Sequence, residues 1–263
     1  MATLVSFHAH PDDEAIPTGG TLAMAAKDGH RVVLVFATRG EHGEVEEGFL
    51  DEGETLADRR VQETHRSAEI LGAQRVEFLG YVDSGMMDTP ENDAPDSFWQ
   101  ADIEEAAAKL AAILKEEDAE VLTVYDDHGV YGHPDHIQVH RVGVRAAELA
   151  GTPRVYESTG NRDHIRDGLM QAQQMGVEMP GDLDPTAFDD FGVTDDQITT
   201  VVDASDFLDV KRAAMRAHAS QIAEASFFLS IPDEFFGLAF GQEWYIRRGA
   251  PPGTRETSLF PDA

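Results

Sequence analysis

Two stretches of this chain crowd acids and imidazoles together where a strand must end. The first is Phe7-His8-Ala9-His10-Pro11-Asp12-Asp13-Glu14, directly after the apolar run Leu4-Val5-Ser6-Phe7. The second lies far downstream, Asp126-Asp127-His128-Gly129-Val130-Tyr131-Gly132-His133-Pro134-Asp135-His136, after Glu120-Val121-Leu122-Thr123-Val124-Tyr125. Carboxylates this close repel unless a cation or a hydrogen-bond network holds them. Nitrogen and oxygen donors of this kind suit a borderline divalent ion such as zinc, which in a catalytic site takes three protein ligands and keeps one position for water. The chain has no cysteine, so a metal here must be held by His, Asp or Glu.

The candidates outnumber what one ion needs: His8, His10, Asp12, Asp13, Glu14, His133, Asp135, His136 and His140. His8 and His10 would share a strand face, but Pro11 puts His10 in the turn and leaves His8 in the wall. His136 and His140 would share a helix face, with His136 nearer the strand ends. One histidine from each stretch is therefore the expectation. Adjacent Asp12 and Asp13 point different ways, so that one can ligate while the other faces the water as general base. Glu14 and Asp135 are read as partners that orient ligating imidazoles. The competing reading is an acidic turn and an unrelated histidine helix cap.

The elements around these stretches follow a βαβ rhythm. Strands are expected at 4–7, 31–37, 75–79, 120–125, 154–157 and 198–202, and helices at 16–28, 56–71, 102–117, from the second stretch to about 149, and at 206–221. The run Arg31-Val32-Val33-Leu34-Val35-Phe36-Ala37 is apolar throughout, as a strand covered on both faces would be. Thr18-Gly19-Gly20 makes the first helix small where it would pack beside the polar turn. Loops at 38–55 and 80–100 follow strands, and the first could edge a site. Residues 159–197, with Met170, Met175 and Met179, read as an irregular excursion that could cover it. Aromatic residues from Phe227 to Phe240 suggest a piece folded back on the body, and residues 249–263 a flexible tail. With no internal repeat or linker, 1–248 reads as one catalytic domain of α/β, Rossmann-like class: a mostly parallel sheet with helices on both faces. Both polar stretches would then emerge at the carboxyl edge of the sheet, where such folds bind ligands.

The 263 residues carry 50 acidic and 20 basic side chains, a formal charge of −30. That opposes binding to nucleic acid or anionic membranes, both of which need basic footprints. No apolar stretch approaches a membrane span, and the first residues lack the basic start and cleavage site of a leader, so a cytoplasmic protein is expected. A homo-oligomer stays open.

Ala9-His10-Pro11-Asp12-Asp13-Glu14 together with His133-Pro134-Asp135-His136 resembles the LmbE/PIG-L-type zinc-dependent de-N-acetylases, which include N-acetylglucosaminyl-phosphatidylinositol de-N-acetylase and bacterial mycothiol and bacillithiol pathway deacetylases. Arg60-Val61-Gln62-Glu63, Asp83-Ser84-Gly85-Met86, and Lys211 with Ala217-His218-Ala219-Ser220-Gln221 extend the resemblance along most of the chain. It implies that His10, Asp13 and His136 hold Zn2+, that Asp12 is the general base, and that His133 stabilises the oxyanion and can protonate the leaving amine. It further implies that Tyr131 assists at the carbonyl and that Arg60 and Asp83 hold sugar or inositol hydroxyls. The substrate would be a small N-acylated amino-sugar conjugate. An amidase acting on mycothiol S-conjugates, or a non-catalytic sugar- or metal-binding protein, is the alternative. His8, His128, His140 and His218 are left as structural or wall residues.

Overall fold

Strands β1 (Thr3–His8), β2 (Arg31–Phe36), β3 (Arg75–Phe78), β4 (Val121–Tyr125), β5 (Arg154–Thr159), β6 (Thr200–Asp203) and β7 (Gln242–Arg247) form one sheet in the computed structural model, which describes residues 1–174 and 188–260. Their order is β3-β2-β1-β4-β5-β7-β6. The first five run parallel, and β7 is antiparallel to both β5 and β6.

Side chains alternate across each central strand, so the sheet needs a cover on both faces. Leu4, Val32, Leu34 and Phe36 face a layer made by α1 (Gly19–Lys27), α2 (Leu56–Leu71) and α6 (Leu208–Ala217). Val5, Phe7, Val33, Val35, Leu122 and Val124 face α3 (Ile103–Glu116) and α4 (Pro134–Ala150). The helix ends follow local chemistry. Thr55 caps α2 by accepting from the Asp58 amide, and Gly72 closes it in the left-handed conformation that glycine adopts without cost. Asp102 caps α3 in the same way through the Glu105 amide.

The small start of α1 does pack beside the polar turn, with Thr18 Oγ1 donating to Glu14 O at 2.8 Å and a Cβ on Gly19 standing 3.6 Å from that carbonyl. It also meets the antiparallel strands, where a Cβ on Gly20 would stand 2.3 Å from Ala204 Cβ and 3.0 Å from the Glu243 carboxylate. The expectations for α6 and the last third of the chain need correction. Helix α6 stops at Ala217, which frees His218 as its cap residue. The excursion expected at 159–197 contains a regular helix, α5 (Arg162–Gln174), started by the Asn161 side chain accepting from the His164 amide at 3.0 Å. Few apolar residues mark it, so no stripe betrayed it. Residues 175–187, with Met175, Met179 and any covering role, lie outside the described residues. The apolar piece includes a short helix α7 (Asp233–Phe240) and then β7, an unforeseen strand. The segment from Gly249 is tied down as far as Phe260: Glu256 bridges Thr200, Leu259 is buried, and the Phe260 ring stacks on His30 at 3.8 Å. Among the described residues, no helix is long and apolar enough to cross a membrane.

Candidate active site

Chain order reverses between β1 and β4, because β2 and β3 lie on one side of β1 and β4 and β5 on the other. In parallel sheets the crevice outside the strand ends at such a point is where ligands bind. Both polar stretches leave the sheet there.

The first turn is tightly wound. Asp13 Oδ2 accepts the His10 amide at 2.8 Å, and the Asp12 carbonyl accepts from Ala15 and Ile16. Asp12 has φ +93°, outside the regions an L-residue favours, a conformation costing of order 1–3 kcal/mol. The strain turns the two neighbouring carboxylates to different partners. Asp13 faces imidazoles, with Oδ1 at 3.4 Å from His136 Nε2 and Oδ2 at 3.5 Å from His10 Nδ1. Asp12 faces a guanidinium, with Oδ2 at 3.4 Å from Arg60 Nη2. Burial works to raise the Asp13 carboxyl, but His136 and His10 hold it well below the usual carboxylate range. Burial pushes Asp12 up to about 6, against the pull of Arg60.

The second stretch delivers its side chains from the start of α4. Pro134 is the first helical residue, and His133 is the cap, its Nδ1 accepting the Asp135 amide at 3.1 Å. A ring nitrogen that accepts cannot also hold the proton, so neutral His133 carries it on Nε2. Burial, with His10 and His136 beside it, lowers this imidazole to about 3. The His136 ring stacks on Tyr125 at 4.2 Å. Tyr131 is 48% exposed, yet its hydroxyl reaches 3.4 Å from His136 Nε2. It is held there by an uncommon backbone: Val130, β-branched, adopts φ +67°. The Asp126 carboxylate accepts the Val130 amide at 2.7 Å, and Val130 O accepts from Gly192 at 2.7 Å.

The structure therefore brings His10, Asp12, Asp13, His133, His136 and Tyr131 together. Asp83 and Arg60 reach the same place, turned inward. Asp83 Oδ1 lies 3.4 Å from His10 Nε2 and accepts the Gly85 amide, while Asp135 Oδ2 is 3.1 Å from the same imidazole nitrogen. Arg60 is 4% exposed, so it is no surface arginine; it donates to Pro11 O at 2.5 Å and Gly40 O at 2.9 Å. His8 is wall, bonded to Ser6 Oγ and near Tyr125 Oη, and His140 bonds to the Tyr125 carbonyl. Three residues that sequence reasoning gave no function lie against the site. Tyr125 backs His136, Asp126 clamps the Tyr131 loop, and His218 meets Glu14. Glu14, expected to orient a ligating imidazole, instead meets His218, Ser67 and the Asp12 amide.

The donor set fits a divalent ion. Ligands about 2.0–2.1 Å from a tetrahedral centre stand about 3.4 Å from one another, and Asp13 keeps that spacing from both imidazoles. The carboxylates of Asp13, Asp83 and Asp135 surround His10 and raise it well above its ordinary range despite burial, an excess of negative charge that a cation relieves. His10 Nε2 against Asp135 is the carboxylate–imidazole support that metal-ligating histidines use. One ring nitrogen each of His10, His133 and His136 also fall within 4.8 Å of one another, an all-imidazole set.

The family model described as PIG-L: GlcNAc-PI de-N-acetylase matches residues 5–147, more than half of the chain. The 1D-myo-inositol 2-acetamido-2-deoxy-alpha-D-glucopyranoside deacetylase of Thermomonospora curvata is 41% identical over 282 residues, covering 96% of this chain and 94% of that protein. Its counterpart from Acidothermus cellulolyticus is 41% identical over 279 residues, covering 99% and 94%. Among solved structures, the zinc-inhibited form of teicoplanin deacetylase Orf2 superposes with a TM-score of 0.62 at 17% identity, covering 95% of this chain and all of that one. N,N'-diacetylchitobiose deacetylase from Pyrococcus horikoshii gives 0.60 at 19%, covering 95% and 84%. The 4-carboxy-2-hydroxymuconate hydratase GalB from Pseudomonas putida gives 0.59 at 20%, covering 95% and 98%. A hydratase on the same fold means that activity must be argued from the site and from close relatives.

Proposed function

The chain belongs to the PIG-L family of GlcNAc-PI de-N-acetylases, and on that premise we propose that it hydrolyses the N-acetyl group of a 2-acetamido-2-deoxyglucosyl conjugate, releasing acetate and the free amine. The observation that carries the reading is the division of labour in one turn: Asp13 faces two imidazoles while its neighbour Asp12 is directed elsewhere. A protein that only bound metal would have no use for the second carboxylate. The relatives' names make an inositol-linked glucosamine the first substrate to try.

In this reading His10, Asp13 and His136 hold Zn2+. The chemistry such an ion supplies is a water brought to a pKa of about 7 and a polarised amide carbonyl. Asp13 is preferred to His133 as third ligand because it spans both imidazoles, while a free Nε2–H on His133 serves better as a donor. Asp12 takes the proton of the attacking water as general base, and that proton is the one the departing nitrogen requires. His133, with its proton fixed on Nε2 by the cap to Asp135, donates to the oxyanion that develops from the amide carbonyl. Tyr131, at the exposed rim, adds a second donor, its hydroxyl, on the same side. Arg60 and Asp83 hold substrate hydroxyls only at the edge of this arrangement, since their main contacts are to Asp12, Pro11, Gly40 and His10.

The test is amine release from a panel of N-acetylglucosaminyl conjugates by chelated enzyme, by enzyme restored with Zn2+ or other divalent ions, and by Asp12→Ala. Release that needs metal and is lost in the variant supports the reading. A folded, metal-loaded protein inert on every acetamido sugar would sink it.

A further inference from the structure

The Pro11–Asp12 peptide is gripped at both ends. Its carbonyl accepts from Arg60 Nη2 at 2.5 Å, and its N–H donates to Glu14 Oε2 at 3.0 Å. This peptide enters Asp12, whose φ of +93° would relax if the plane could turn. Glu14 is 0% exposed, and its two oxygens have separate duties. Oε1 accepts from Ser67 Oγ on α2 and pairs with His218 Nε2, both at 2.5 Å. Oε2 is thereby aimed at the Asp12 amide.

His218 is itself 0% exposed and comes from beyond α6, more than 200 positions along the chain. The stretch that carries it is moored nearby: Ser220 donates from its amide and its hydroxyl to Glu63 on α2, at 2.9 and 2.6 Å. Glu63 and the stretch Ala217 to Gln221, which were left without a chemical duty, thus meet behind the catalytic turn. A buried ion pair adds little net stability over an apolar pair of the same shape, so stability alone gives no reason for this one.

We propose that Glu14, anchored by His218 and Ser67, is a positioning residue for Asp12: with Arg60 it clamps the Pro11–Asp12 peptide and so fixes the direction of the general base. The inference rests on the deacetylase reading given above. Neither Glu14 nor His218 touches the reacting atoms; both act through the Asp12 backbone.

The test removes both members of the pair, because Glu14→Ala alone leaves a buried imidazole unpartnered and endangers folding. In Glu14→Leu/His218→Leu, kcat should fall by about 10²-fold, as a misplacement near 1 Å would cause. KM should stay within about twofold and metal content unchanged, since the groups that hold substrate and metal are intact. Glu14→Gln, which keeps an acceptor for the amide, should recover most of the loss. In an Asp12→Ala background the double substitution should change residual turnover by less than about twofold, because its only route of action is gone. A loss of equal size in that background would overturn the proposal, as would an unchanged kcat in the folded double variant. Lost metal would overturn it too, by assigning Glu14 to Asp13. Hydrogen exchange at the Asp12 amide reads the clamp without turnover: slow in the parent protein and much faster in the double variant is expected, and equal rates refute it. If the parent protein releases no amine, the deacetylase reading has failed, and the exchange rates still decide the clamp.

Discussion

The parallel strands β3, β1 and β4 end in the loops that bear His10, Asp12, Asp13, Asp83, Tyr131, His133 and His136, whereas β7 and β6 end in none of them. The antiparallel pair and the helices around it contribute from behind. Glu243 on β7 accepts the Gly20 and Thr21 amides at the start of α1 and pairs with buried Lys211 on α6 at 2.7 Å. His218, just past α6, pairs with Glu14. The family model covers the first region and stops at residue 147. Reactive groups are thus held at one end of a parallel sheet, and the rest of the chain keeps the elements beneath them in place. Changes in the first region should cost turnover without stability, and changes in the second should do the reverse unless they reach a reactive group.

The widest separation is expected within the first turn. Asp13→Ala should lose bound metal along with turnover, while Asp12→Ala should retain metal and lose about 10³-fold or more in kcat; metal analysis beside a free-amine assay reads both. Metal retained in Asp13→Ala, with loss in His133→Ala instead, would favour the all-imidazole set. Next, His133→Ala should lower kcat by about 10²–10³-fold with metal retained. Lys211→Met then probes the other region. Leaving Glu243 buried without its cation should lower unfolding stability by about 3–5 kcal/mol in urea titration, with kcat per folded molecule within about twofold of the parent. A large kcat loss there would break the division between regions. The smallest effect is expected for Tyr131→Phe, about tenfold or less in kcat/KM, because its hydroxyl supplements a donor already present.

Much of this arrangement was legible in the sequence because it is local. A proline after Leu4-Val5-Ser6-Phe7 marks where β1 ends, and an acid or imidazole at a strand end is visible without knowing the fold. The continuous apolar run of β2 likewise announces a strand covered on both faces. What stayed hidden is non-local. The pairing of Glu14 with His218 joins residues 204 positions apart, and nothing in either neighbourhood specifies it. Strand β7, Gln242-Glu243-Trp244-Tyr245-Ile246-Arg247, follows an aromatic helix and carries a buried glutamate whose partners lie on α1 and α6. The burial of Arg60 was hidden for the same reason: its acceptors, Pro11 O and Gly40 O, belong to other loops.

The placement of β7 between β5 and β6 bears on how the molecule is made. Strand β6 reaches the sheet only through β7, so it has no docking site while residues 242–247 are still being synthesised. Until then β5 is an open edge, with unpaired backbone groups that can recruit another chain. The catalytic turns and the five parallel strands beneath them can assemble first, in the order of synthesis. The Glu14–His218 and Lys211–Glu243 pairs close last. Chains arrested before Gln242 should therefore aggregate through β5, and the turn holding Asp12 should gain its final shape only in the last stage of folding.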